Sequence, residues 1–340
     1  MKITIKDIAE KAGVSTTTVS HILNNKGSRF SEETRQRVLK VVDELNYQPD
    51  FFAQNMIMKK SRTIGMIVPD VTDLFFSKLI EGVESYFNSL GYMIILCNSK
   101  HDPKLEEKYF QQLVYRSVEG IIIATPNILS EKILKNDDVL RRHIPLVLID
   151  MGKNPREQGK LLVEEYQGVY SGVKYFIEMG HQKIAFIQEV GDYYQLSERI
   201  TGYLNCLEDY NIDYNPQLIS EGPLTMQGGY QATKQVIEQS QKDFTAIFCS
   251  NDQMAVGAYQ ALLEADLRVP DDVSVIGFDG LEIARYMAPA LTTVYQPTFD
   301  IGFYAAKFIL DAIENPKQRI PNKIFETKLL VRDSVKRLTN

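Results

Sequence analysis

Little in this chain points to secretion, membranes, metals or covalent chemistry. Three cysteines, Cys97, Cys206 and Cys249, are scattered over 340 residues, and no Cys/His spacing fits a zinc site. Cys97 and Cys249 close apolar, strand-like runs and read as small core residues of a reduced protein. No uninterrupted apolar run approaches the roughly 20 residues of a membrane span. The opening MKITIKD has no apolar stretch of a signal peptide, so a cytoplasmic location is expected. The first strand of the α/β region, IGMIVPDVTD, lacks the G-x-G-x-x-G turn, and neither G-x-x-x-x-G-K-[ST] nor G-x-S-x-G occurs. His101, His143 and His181 read as surface-loop or helix-end residues. An enzyme on an α/β core is thus disfavoured, and no catalytic residue, metal or cofactor is assigned.

Positive charge is also scarce, but unevenly so. The net charge is −6. Residues 1–60 carry ten Lys/Arg against seven Asp/Glu, a balance of +3 that leaves −9 on the other 280. A mildly basic head on an acidic body fits a DNA-contacting module joined to something else. So small an excess holds phosphates weakly, which favours paired heads.

The head is legible in Thr4 to Asn24. Ile5, Ile8, Ala9 and Ala12 make one apolar helix face, and Thr4 with Asp7 is a capping-box pattern. Gly13 supplies the positive φ of a tight turn. Ser15 can cap a second helix, with Val14 and Val19 as its hydrophobic staple. At about 100° per residue, Val19, Ile22 and Leu23 share one side of that helix, and Thr16, Thr17, Ser20, His21 and Asn24 the other. Hydroxyls, an imidazole and an amide in one arc suit a major groove. The alternative is an αα-hairpin in a larger core. A third helix should open at Ser31 and run through Val38, Leu39, Val42 and Leu45 to Asn46. The adjoining FFAQNMIMKKSR is too short to own a core and reads as a linker.

From Thr63 the pattern alternates. IGMIV, YMIIL, GIIIA and PLVLID are short β-branched runs separated by amphipathic stretches, and a second such series comes after them, with IAFI, AIFCSND and VSVIGFD as strands. The expected fold class is α/β: a helix-turn-helix headpiece and two parallel sheets. Ligands of such sheets lie at the carboxyl ends of strands. Asp73, Phe75, Phe76, Asp150, Arg199, Asn251, Asp279 and Gln296 stand at or near those ends. Carboxylates, amides and a guanidinium beside aromatic faces make sugar chemistry: hydroxyls donate and accept, while the C–H face of the ring packs on phenyl groups. Each residue has a plainer reading, the acids as caps or turn residues and Phe76 as core.

AEKAGVSTTTVSHILNN and ELNYQPD resemble the DNA-binding headpiece of the LacI/GalR family of bacterial repressors. LFFSKL, SERITGY, SNDQMAVGAYQAL, VIGFDGLEIA and PALTTVYQP look like that family's ribose repressors. The resemblance implies a two-lobed core like periplasmic sugar-binding proteins, a homodimer, near-palindromic operator DNA, no membrane, and a small sugar effector, ribose or a related pentose, that releases DNA. It implies DNA contacts from Thr4, Lys6, Ser15, Thr16, Thr17, Thr18, Ser20, His21 and Asn24, with Met56 wedging into the minor groove from a hinge helix; a plain flexible linker is the alternative. For the effector it implies Asp73, Phe75, Phe76, Asp150, Arg199, Asn251, Asp279 and Gln296, with Leu224 where a pocket phenylalanine is common. Gln54-Asn55 stand where the family often has Arg-Ser, and VEEYQG departs from its Asp-Asn. The expected domains are a headpiece at 1–49, a hinge at 50–62 and a core at 63–340. Lobe one would hold about 63–162 and 293–322, lobe two about 163–292 and 323–340, with a third crossing near Thr292–Pro297.

Overall fold

The computed structural model describes residues 3–23, 29–47, 61–125, 143–149, 158–190 and 194–338, with backbone alone at 194–197. Asn24, Met56, Asp150 and nearly all of the hinge lie outside the described residues. The chain divides into two compact units, Met1–Ser61 and Arg62–Asn340.

Among its described residues the smaller unit has three helices: α1 (Ile5–Ala12), α2 (Thr16–Leu23) and α3 (Glu32–Glu44). The Thr4 N–H and hydroxyl both donate to the Asp7 carboxylate at 2.7 Å, pinning the start of α1. Gly13 ends it at φ 65° and donates its N–H to the Glu10 carbonyl. At the start of α2 the Thr18 N–H donates to Ser15 Oγ at 3.1 Å. Ile8, Val19 and Val38 are fully buried together, each apolar side chain stabilising the unit by about 1.5–3 kcal/mol. The α3 pattern needs one correction: Val38 and Val41 are its buried residues, while Leu39 faces solvent.

The larger unit is built on two six-stranded sheets. The first contains β1 (Thr63–Val68), β2 (Met93–Asn98), β3 (Gly120–Ala124), β4 (Leu146–Ile149), β5 (Lys160–Val163) and β11 (Lys323–Phe325), all parallel, in the order β11-β5-β4-β3-β1-β2. Helices α4 (Leu74–Asn88) and α5 (Pro103–Tyr115) alternate with its early strands. The second sheet contains β6 (Ile184–Glu189), β7 (Ile219–Gly222), β8 (Ala246–Cys249), β9 (Ser274–Asp279), β10 (Thr292–Tyr295) and β12 (Lys328–Leu330), ordered β12-β10-β9-β8-β6-β7, with β12 antiparallel at the edge. Its helices are α6 (Glu165–Glu178), α7 (Tyr194–Asp209), α8 (Met226–Gln239), α9 (Asp252–Glu264) and the short α10 (Glu282–Tyr286). The final helix, α11 (Thr298–Glu314), returns to the first sheet, where Ile301, Ala305 and Ile309 join its core.

The lobe boundaries therefore move. Residues 293–295 belong to lobe two, because β10 pairs with β9. Residues 323–325 belong to lobe one, because β11 pairs with β5. The chain crosses at Glu164, at Gln296–Pro297 and at Glu326–Thr327, so the segment near Thr292–Pro297 is the second crossing rather than the third. Backbone bonding decides this: three-residue strands have too little side-chain alternation to declare a partner.

Candidate functional site

A cavity of about 490 Å³ opens at the carboxyl ends of the strands of both lobes, a size that suits a small ligand. All eight described residues expected at an effector site line it: Asp73, Phe75 and Phe76 from lobe one, and Arg199, Leu224, Asn251, Asp279 and Gln296 from the β6–β10 side. Asp150 is outside the described residues. The cavity also takes in Asp70, Thr125 and Glu189, which the sequence did not single out, and His101, which read as a surface residue without a role.

The plainer readings hold alongside the cavity for several residues. Asp73 caps α4 by accepting from the Phe75 N–H at 2.8 Å, and burial raises its carboxyl above the ordinary carboxylate value. Phe75 and Phe76 meet edge to face at 5.1 Å, and Phe76 also packs on the lobe-one core. Asn251 caps α9: its Oδ1 accepts from the Met254 N–H at 2.8 Å, and its Nδ2 donates to the Leu224 carbonyl at 3.3 Å. The caps and the cavity coincide because a helix placed after a parallel strand begins at the strand's carboxyl end.

Arg199 is the most constrained of the set. Its Nε donates to Glu165 Oε2 at 2.6 Å, its Nη1 donates to the Ser250 carbonyl at 2.7 Å, and its guanidinium lies 4.3 Å from the Phe278 ring centroid. Both members of the ion pair are buried. Glu165 opens α6 directly after the first crossing. It lies in the VEEYQG segment where the chain departs from the family pattern, and that departure was its one sequence signal.

The end of β9 is strained and braced. Asp279 sits at φ 102°, in the left-handed region that side-chain-bearing residues avoid. Gln296 Nε2 donates to Asp279 Oδ1 at 2.6 Å. Beneath, buried Asp252 accepts from the Leu281 N–H and the Thr293 hydroxyl, both at 2.6 Å, so it ties the turn after Asp279 to β10. Burial pushes the Asp252 carboxyl up to about 7 and raises that of Asp279 well above the ordinary value. Glu189 is also pushed up to about 7, by burial first and then by the Asp73 charge, with Arg199 pulling the other way. Gln296 Oε1 is buried with no hydrogen-bond partner among the described residues.

Of the histidines, His101 is exposed and lines the cavity. His181 is not a surface residue: it is buried, with Nδ1 2.9 Å from the Thr245 hydroxyl and Nε2 3.1 Å from the Lys336 carbonyl. Cys206 and Cys249 are buried free thiols, and Cys97 is half-buried. Among the described residues no cluster could hold a metal ion, and no helix is long and apolar enough to cross a membrane.

On the headpiece, Thr16 and Thr17 are exposed on α2, while Val19 and Ile22 face the core. Ser20 and His21 are half-buried beside them, His21 with its ring 6.5 Å from that of Phe30. Thr4 and Lys6 are exposed at the start of α1. Ser15 and Thr18 are engaged with each other in capping α2, their hydroxyls 2.9 Å apart.

Residues 4–50 match the model for bacterial regulatory proteins of the lacI family, and residues 173–335 a periplasmic binding protein-like domain. The chain is 39% identical over 340 residues to the HTH-type transcriptional repressor PurR of Vibrio atlanticus (strain LGP32), covering 98% of this chain and 99% of that protein. It is 34% identical over 333 residues to the ribose operon repressor of Haemophilus influenzae, covering 98% of each. It also resembles the crystal structure of the lac repressor dimer bound to operator and the anti-inducer ONPF, with a TM-score of 0.86 and 26% identity over 99% of this chain and 100% of that one.

Proposed function

Because the chain belongs to the LacI family and is a DNA-binding transcriptional repressor rather than an enzyme, we propose that it represses a sugar-utilisation operon and leaves its operator when a small sugar, ribose or a related pentose, fills the cavity between its lobes. The observation that carries this reading is the convergence of Asp73, Phe75, Arg199, Asn251, Asp279 and Gln296 on one cavity. Carboxylates and an amide oxygen accept from hydroxyls, a guanidinium donates to them, and the Phe75–Phe76 pair offers aromatic surface to the ring. A purine is the second reading, favoured by the PurR relatives. The hydroxyl-matching polar set supports the sugar.

Thr16, Thr17 and His21 are placed to read base edges, and Lys6, Ser20 and Thr4 to position on phosphates. Asn24 positions on phosphates, and Met56 keeps the role that the resemblance implies, as a minor-groove wedge. Ser15 and Thr18 hold the α2 start, and the hydroxyl proton that they do not share is left to donate to a phosphate. The protein acts in the cytoplasm as a homodimer, its two headpieces on the two halves of a near-palindromic site. The dimer is supported by apolar side chains left exposed in the single chain, Met93 and Leu96 on edge strand β2 and Leu263 and Tyr286 on lobe two.

Ligand and DNA are coupled by the ligand's different affinities for two arrangements of the lobes, typically 1–3 kcal/mol. A thermal-shift comparison of D-ribose, other pentoses, hexoses and hypoxanthine tests the reading. A pentose alone should raise the melting temperature, since ligand at 100 times its Kd adds about 2.7 kcal/mol. Stabilisation by hypoxanthine and by no sugar would transfer the site to purines.

A further inference from the structure

The cavity wall is unusual in its charge. Asp70 and Asp73 contribute carboxyl groups from lobe one, and Glu189 and Asp279 from lobe two. The described guanidinium among them, Arg199, is already neutralised by Glu165, which lies behind it and outside the lining. Glu189 is the last residue of β6 and stands on the same wall as Arg199, close enough for the charges of both Arg199 and Asp73 to act on it. The buried Oε1 of Gln296 adds an acceptor with no donor among the described residues. Among the described lining residues, four carboxyl groups thus stand against one guanidinium.

We propose that Glu189 is a specificity-determining residue of this cavity: with Asp70 and Asp73 it admits neutral, hydroxyl-bearing sugars and turns away their phosphate esters. A sugar hydroxyl can donate to Gln296 Oε1 and to the carboxylates. A phosphate ester near neutral pH carries up to two negative charges and three acceptor oxygens, so it meets like charge on the carboxylates, while the described donors of the lining are the partly engaged Arg199 and Asn251, His101 and two threonine hydroxyls. Arg199 does not rescue it, because Glu165 has taken its charge. This proposal rests on the sugar reading and narrows it to uncharged ligands.

The test is calorimetric titration at pH 8, where Glu189 is ionised, of the full-length protein with D-ribose and with D-ribose 5-phosphate, for the natural chain and for Glu189→Gln. The natural chain should bind the phosphate ester about 100-fold more weakly than ribose, the scale of one or two like-charge contacts in a protein site. Glu189→Gln should narrow that gap about 10-fold by tightening the ester's binding. Raising salt from 50 to 500 mM gives a second readout that needs no variant: screening should narrow the gap if charge causes it. A gap unchanged in both experiments assigns the rejection to size and overturns the proposal. Binding of the ester alone also overturns it but leaves the sugar reading standing. Binding of neither probe sinks the sugar reading, and the proposal with it.

Discussion

The Arg199 guanidinium and the Glu165 carboxylate meet at 2.6 Å although 34 residues separate them. Arg199 lines the cavity, and Glu165 begins the helix just past the first crossing between lobes. One buried bond therefore joins the ligand wall to a segment that must move if the lobes move.

That pair should be costly to break from one side. Glu165→Ala leaves a buried guanidinium without its counter-charge, so urea denaturation should show a loss of about 3–5 kcal/mol. Lys183→Ala, at the exposed Lys183–Asp243 pair, should cost no more than about 1 kcal/mol. Equal losses would mean that water reaches the Arg199 pair.

Glu189 makes the ligand-free core sensitive to pH. Its carboxyl sits at about 7 when folded, against an ordinary value of 4.5. The folded state binds the proton more tightly, so the stability from this group is complete below pH 4.5 and is lost as pH rises through 7. By pH 8 the loss approaches about 3 kcal/mol, less whatever solvent reaches the carboxyl. Glu189→Gln should thus raise the melting temperature relative to the natural chain at pH 8 and much less at pH 5. The same increment at both values would show that Glu189 does not titrate in this window.

Two glycines bring α4 and α11 into backbone contact. A Cβ on Gly302 would stand 2.1 Å from the Leu79 carbonyl oxygen, and one on Gly82 would stand 2.1 Å from that of Phe299. Gly302→Ala should destabilise lobe one by about 3 kcal/mol or more, since two backbones must part to admit a methyl group. A melting temperature within 1–2 °C of the natural chain, for a core in which about 1 kcal/mol moves it by 2–4 °C, would show that the helices slide apart freely.

Thr16 and Thr17 carry no core contact that their exposure would hide. The double change to Ala should remove discrimination between operator and random DNA, leaving thermal unfolding within about 0.5 kcal/mol. Unchanged operator preference would take both residues out of the reading set.

Much of this was legible in the residues. The headpiece could be read because Thr4, Asp7, Gly13 and Ser15 each mark a boundary with a local hydrogen bond or a φ value. The cavity residues could be read because parallel strands announce themselves as β-branched runs, and the next few residues of the chain lie at the carboxyl end of each run. Glu189 escaped because it is itself the end of a strand, with nothing in its type to separate a wall residue from an edge one. Glu165 escaped because its partner is 34 residues away. His181 looked like a loop residue beside Gly180, and only the distant Thr245 and Lys336 bury it. The short β11 and β12 declared no sheet, so the third crossing could not be placed from pattern alone.

The most direct test of a cavity ligand governing DNA is operator affinity itself. Fluorescence anisotropy would follow the full-length protein on a near-palindromic fragment selected from random sequence, with and without saturating D-ribose. Binding should weaken about 5- to 150-fold with ribose, as a coupling of 1–3 kcal/mol requires, and Arg199→Ala should bind the fragment normally yet ignore ribose. Affinity that ribose leaves unchanged or strengthens in the natural chain would contradict the account.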